Sequence, residues 1–188
     1  MDLEKGIIEI FGEVVKEASQ GCTIINAAGE EVTLTGLDYR FGNSDYIKEV
    51  LDEYSKSADT MPLQNPLVAL FVPMKEERGT SRDVQSYATA NVIIACSTTK
   101  DWSNEERLQY SFQNILRPIY RSLLAAMRKH PRLATPYDGE ISHTYSENYS
   151  YGRFGAYTES GDSVSEPIDA IDIRQLQITL LKPNCRNK

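Results

Sequence analysis

Histidine is scarce in this 188-residue chain: only His130 and His143 occur. A Ser-His-Asp hydrolase would have to use one of them, and no Gly-x-Ser-x-Gly elbow or similar context supports that. Cysteine is scarce too. Cys22, Cys96 and Cys185 are odd in number and widely spaced, with no Cys-x-x-Cys pair. A zinc site or thiol redox motif therefore has no support, and the usage fits a reducing compartment. Walker loops and dinucleotide glycine fingerprints are missing, so no cofactor and no metal is expected. No apolar run approaches the roughly 18–20 residues of a membrane span. The opening MDLEKGIIEIFGEV carries acids where a secretory signal needs bases. Secretion and membrane contact are not expected, and the glycosylation pattern at Asn148-Tyr149-Ser150 carries little weight without such a signal.

What the chain does have is unevenly spread charge. Apolar residues make up 40% and charged residues 25%, which speaks against wholesale disorder and for one domain able to bury its own core. The net charge is −7. Residues 1–60 hold 13 acids and 5 bases, and residues 133–172 hold 8 acids and 1 base. Between them, residues 100–132 hold 7 bases and 3 acids, and the last 16 residues hold 4 bases and no acid. An acidic chain with local basic blocks is not a general nucleic-acid binder. The blocks either pair between copies of the chain or solubilise its surface.

Apolar spacing gives the elements. Residues 3–18 read as an amphipathic helix, with Ile7, Ile8, Phe11, Val14, Val15 and Ala18 on one stripe and Asp2 as cap. Residues 22–26 and 31–35 read as a hairpin turning at Gly29. Gly36 and Gly42 punctuate a loop, and a helix over 44–57 follows, capped by Ser44. Residues 66–73 and 86–97 are apolar enough for strands covered on both faces, with an exposed charged loop over 74–85. Residues 103–129 give a long helix opened by the capping box Ser103-Glu106. It would span roughly 40 Å at 1.5 Å per residue. Pro118 inside it predicts a kink or two helices meeting. Residues 167–181 form a long strand whose apolar phase changes near Arg174 and Gln175, which predicts a bulge.

The fold class is therefore α+β: a small, mostly antiparallel sheet packed by helices. Residues 1–131 and 167–182 form the core domain, 132–166 an extended loop or hairpin excursion, and 183–188 a tail. The excursion contains five tyrosines, Tyr137, Tyr145, Tyr149, Tyr151 and Tyr157. Tyrosine gives large contact area at low entropic cost, so Tyr145, Tyr149, Tyr151 and Tyr157 are candidate subunit contacts. On the long helix, Arg117, Arg121 and Arg128 share a face through steps of four and seven. They are candidates for charge pairing between subunits, with a solvated face as the alternative. Asp169 and Asp172 resemble a carboxylate pair, but three-residue spacing on a strand puts them on opposite faces.

Two stretches, NVIIACSTTKDWSNEERLQYSFQNILRPIYRSLLAAM (91–127) and IDAIDIRQLQITL (168–180), resemble neck and tail-completion (tail terminator-like) ring proteins of double-stranded DNA bacteriophages. Together they cover about 50 of the 188 residues. The resemblance implies a homo-oligomeric ring at the head-tail connector or the top of the tail, with portal or adaptor and tail proteins of the same virion as partners. It also implies a central channel that double-stranded DNA traverses without sequence readout. Such a family supplies no catalytic residues. An acidic lining would let DNA pass without adhering. The alternatives are a small intracellular hydrolase and a soluble host adaptor.

Overall fold

The computed structural model describes residues 5–26, 28–56, 66–79, 82–136, 139–151 and 167–183. The expected cap Asp2, the candidate contact Tyr157 with Tyr137, and Cys185 lie outside these residues.

Helix α1 spans Ile7–Ser19, starting later than the periodicity predicts. Gly6 is its extended N-cap, and the Gly6 N–H donates to the Glu9 carboxylate at 3.0 Å. Strands β1 (Thr23–Ile25) and β2 (Glu31–Thr33) form the predicted hairpin as a two-stranded sheet of its own. Gly29 turns it with φ +82, and Asn26 Oδ1 accepts the N–H groups of Ala28 and Glu30.

The segment expected to be a loop after Gly36 contains strand β3 (Asp38–Gly42) instead. Its residues are only half-buried or exposed, so it carries little apolar pattern to read. Gly42 closes it where helix α2 (Ser44–Lys56) begins. A Cβ there would sit 2.2 Å from the Tyr46 ring, so no larger residue fits. The cap of α2 is Asn43 rather than Ser44: Asn43 Oδ1 accepts the Tyr46 N–H at 2.9 Å.

Strand β4 (Leu67–Phe71) runs parallel to β3. The charged segment 74–85 is not wholly a loop. Its Lys75–Arg78 stretch forms β5, antiparallel to β6 (Val84–Ser97). Backbone pairing needs no apolar side chains at a sheet margin, and charges suit such a strand. β6 pairs along its length with β8 (Ile168–Leu181). The predicted bulge is there: the register slips between Ala90 and Val92, and Gln175 has φ +54. The Gln175 N–H, taken out of the ladder, donates to Asn91 Oδ1 at 3.1 Å.

The long helix is three joined segments: α3 (Asn104–Arg107), a π-helical stretch (Leu108–Leu116) and α4 (Arg117–Lys129). Ser103 and Glu106 form the capping box in both directions. The Arg117 N–H reaches back to Phe112 O, and the pitch returns to α where Pro118 enters the first turn of α4. A residue with no N–H interrupts the ladder, and two helical segments of different pitch meet beside it.

The described part of the tyrosine-rich excursion is laid along the core. Leu133 bridges Leu180, and the Ala134 N–H donates to Thr179 O. Strand β7 (Thr144–Asn148) then pairs antiparallel with β8. The main sheet therefore runs β3-β4-β6-β8-β7, with β5 also on β6. Only β3/β4 is parallel, so the fold is α+β with a mostly antiparallel sheet. One face is covered by α1, the hairpin and the long helix, where Phe11, Val14, Phe112, Ile119 and Leu123 meet Val92, Ile94, Ile171 and Ile173. The opposite face carries α2, whose Ile47, Leu51 and Tyr54 lie on Leu67, Ile93 and Ile168.

Candidate functional site

A buried polar constellation lies where the long helix meets β8 and the end of β7. The capping box starts the helix so that Arg107, at the end of its first turn, points into the protein. Its Nε donates to Asp169 Oδ2 at 3.1 Å, and a second guanidinium nitrogen pairs with Asp169 Oδ1. The third donates to Ser150 Oγ at 3.1 Å. The Ser150 N–H in turn reaches Asp169 Oδ1 at 3.1 Å, from a residue held at φ +54. The Tyr149 ring lies 5.6 Å from the guanidinium carbon and 4.6 Å from the Phe112 ring. Cys96 stands opposite Asp169 in the β6/β8 register. Its burial, then the Asp169 charge, push the Cys96 thiol well above its ordinary pKa. It is an inert packing residue rather than a nucleophile.

A second constellation lies along the seam between the long helix and β7. Arg117 clasps Glu147 with two bonds, at 2.7 and 3.1 Å. The Tyr145 hydroxyl donates to the same carboxylate. That arginine holds the Glu147 carboxyl below its ordinary pKa of 4.5. Burial and the Glu147 charge raise the Tyr145 phenol. The Tyr120 ring packs 4.9 Å from Tyr145, and its hydroxyl bonds His143 Nε2 at 2.7 Å. His143 Nδ1–H donates to Ile141 O, which leaves Nε2 to accept from the tyrosine.

The arrangement brings together several of the residues that the sequence singled out. Tyr145 and Tyr149 keep over a third of their surface exposed, and Tyr151 packs beside the α2 cluster with its N–H on Ile168 O. Arg117 spends its charge within the chain on Glu147. Arg128 Nε donates to Gly139 O at 2.7 Å. Arg121 is exposed on the same helix. Asp169 and Asp172 do lie on opposite faces: Asp172 pairs with Arg174 at 2.7 Å, away from Arg107. His130 caps α4, buried, with its Nε2 3.4 Å from Glu13 and its Nδ1 accepting the Arg132 N–H. The sequence reading missed Arg107. Its one signal was a basic residue in the first turn of a helix, where the helix dipole favours acids.

Among the described residues, no group of three or more His, Cys, Asp or Glu could hold a metal ion. No described helix is long and apolar enough to cross a membrane. No protein-family model matches the chain, and no curated protein matches it significantly.

Proposed function

We propose that the chain is a non-enzymatic structural protein of a bacteriophage virion. Copies of it form a ring in the head-tail connector or tail-terminator region, assembled in the host cytoplasm. The ring lines a channel that double-stranded DNA passes through, and it joins portal or adaptor proteins to the tail. The observation that carries this reading is how the two resembling stretches sit in space. Residues 91–127 supply the second half of β6 and nearly all of the long helix, and residues 168–180 supply nearly all of β8. They are remote in sequence, yet β6 and β8 pair from end to end and the helix packs on both. The resemblance thus falls on one contiguous structural unit rather than on scattered strands.

The polar chemistry supports the same reading. The buried ions at Arg107, Asp169 and Asp172 are engaged with partners in the fold, which is what scaffolding uses them for. The mechanism is geometric: the sheet and long helix set the shape of a tile, and its edges and charged helix faces meet other tiles. Two measurements test it. Mass spectrometry of purified virions should detect the chain, and imaging of the particle should place it in the collar. Its absence from the particle overturns the proposal. So does a monomer at every soluble concentration that hydrolyses a substrate and loses that activity when His130 and His143 are both replaced.

A further inference from the structure

Three strands of the main sheet pair on one side only among the described residues: β3, β7 and the four-residue β5, whose run Lys75-Glu76-Glu77-Arg78 is the charged kind of edge that discourages further pairing. Among the described residues, β3 pairs only with β4 and β7 only with β8. Each is five residues long. Following the pairings across the sheet, β3, β4 and β8 run one way while β6 and β7 run the other. A β7 placed beside β3 in the same sheet orientation would therefore be antiparallel to it, the more favourable pairing.

The hydrogen-bond phase fits as well. The Asp38 N–H donates to Pro66 O at 3.0 Å, and Val72 N–H donates to Gly42 O at 2.9 Å. Alternation then turns Asp38, Arg40 and Gly42 toward β4, and leaves the backbone groups of Tyr39 and Phe41 pointing outward. On the other side, Thr98 N–H donates to Pro167 O at 3.0 Å, and Tyr151 N–H donates to Ile168 O at 2.7 Å. Ile168, Ala170 and Asp172 therefore face β7, which engages Thr144, Ser146 and Asn148 and leaves Tyr145 and Glu147 outward. Each margin offers two outward residues, two positions apart.

The side chains agree with the backbone. Tyr39 and Phe41 stand opposite Val68 and Leu70 in register, on the face covered by α1. Tyr145 and Glu147 lie on that same face, against the long helix. Phe41 is 49% exposed and Tyr145 38% exposed, so each of the two margins carries a large ring open to solvent. Charge completes the match. Exposed Glu9 sits on α1 beside Tyr39, whose hydroxyl bonds Ile8 O, and exposed Arg121 sits on α4 one residue from Tyr120, which packs on Tyr145.

We infer that copies of this chain join sheet to sheet, β3 of one against β7 of the next, with Phe41 opposite Tyr145 and Tyr39 opposite Glu147. The inference rests on the ring proposed above and names its contact. Because the two margins differ, the join is head-to-tail, the kind of interface that closes into a ring when its rotation permits. It makes four inter-chain backbone hydrogen bonds, covers both exposed rings, and brings Glu9 of one copy toward Arg121 of its neighbour.

The test is complementation between two blocked chains. Phe41→Pro removes an outward donor on β3, and Tyr145→Pro removes one on β7. Proline is tolerated on a margin strand whose N–H faces solvent. Light scattering should show each full-length variant as a monomer. Their equimolar mixture should form a 1:1 dimer, since one intact β3 still meets one intact β7. Circular dichroism and thermal melts establish that each variant folds. If either does not, amide exchange on the wild-type oligomer replaces the test, with protection expected at Tyr39, Phe41, Tyr145 and Glu147. If both folded variants keep the wild-type oligomer, the contact is wrong and the ring stands. A single variant that still dimerises means a two-fold contact and overturns the inference. So does protection of Tyr145 and Glu147 in the monomer, which would mean that the chain covers β7 itself. A wild-type chain that stays monomeric at all concentrations and is absent from virions overturns the ring and the contact together.

Discussion

Arg107 and Asp169, 62 residues apart in sequence, engage through both prongs of the guanidinium and both carboxylate oxygens, and the carboxylate is wholly buried. The pair ties the first turn of the long helix to the interior strand β8, and Ser150 fastens the end of β7 to the same carboxylate. Removing one partner leaves the other charge buried and uncompensated. Asp169→Asn should lower unfolding stability by about 3–5 kcal/mol. Replacing both partners with apolar residues, Arg107→Met with Asp169→Leu, should recover most of that loss. Urea denaturation of the three chains checks both statements. A single Asp169→Asn chain as stable as the wild type would show that the pair does not hold the helix to the sheet.

Glu147 links acidity to the seam between the long helix and β7. Arg117 lowers its native carboxyl pKa, so its contribution is fully present above the ordinary value of 4.5. That contribution drains away as pH falls through the lowered native value. Glu13 behaves in the same direction, chiefly through its bond to Lys5. Arg117→Ala should cost about 1–2 kcal/mol at neutral pH, since the bonds are charge-assisted but partly solvated. The penalty should shrink at strongly acidic pH. Thermal melts of wild type and variant across pH 3–7 measure it, and a gap that stays constant with pH would contradict the account.

The bulge at Gln175 makes a backbone prediction. A side chain at φ +54 is strained, and glycine relieves that strain at some entropic cost. Gln175→Gly should be neutral or stabilising, by up to about 1 kcal/mol. Gln175→Val should be clearly destabilising, since a β-branched residue is a poor fit to that conformation. Asn91→Ala should cost about 1 kcal/mol through the lost bond to the Gln175 N–H. Paired melting curves separate the three.

Cys22 and Cys96 should resist thiol reagents in the folded chain. Burial raises both thiols above their ordinary pKa, with Asp169 adding to the effect at Cys96. Alkylation followed by peptide mass spectrometry should find both unmodified in buffer and both labelled in denaturant. Rapid native labelling of Cys96 would mean that the Cys96–Asp169 end of the β6–β8 ladder opens easily.

What the sequence disclosed follows a physical divide. The capping box at Ser103 and Glu106 was legible because a cap is local, and the bulge near Arg174 because an interior strand must keep its apolar side on the core. Strands β3 and β5 lie where the sequence predicts loops, and β7 lies in the predicted loop-or-hairpin excursion. At the margin of a sheet the backbone pairs without demanding alternating apolar residues, and Lys75–Arg78 offers none. The arginine face on the long helix was legible as a face, but not the destination of each charge. Arg117 meets Glu147 thirty residues on, through a strand the pattern does not reveal, while Arg107 meets Asp169 sixty-two residues on. Long-range partners are set by topology, and helical spacing carries no information about them.

Arg121 gives the last prediction, because it separates charge at the proposed junction from charge within the fold. It is exposed, whereas Arg117 is clasped by Glu147 and Arg128 bonds Gly139 O. Arg121→Gln should therefore leave the unfolding stability within about 0.5 kcal/mol of wild type, as surface changes do. It should weaken assembly and reduce its salt dependence, since one inter-chain attraction between exposed charges is gone. Glu9→Gln should do the same from the other side of the junction. Glutamine still accepts the Gly6 N–H, so the start of α1 survives while the charge is removed. The double variant should assemble no worse than either single one, because the two changes delete the same pair. Sedimentation velocity at low and high salt reads all four chains. Additive losses in the double variant would mean that Glu9 and Arg121 act on different partners.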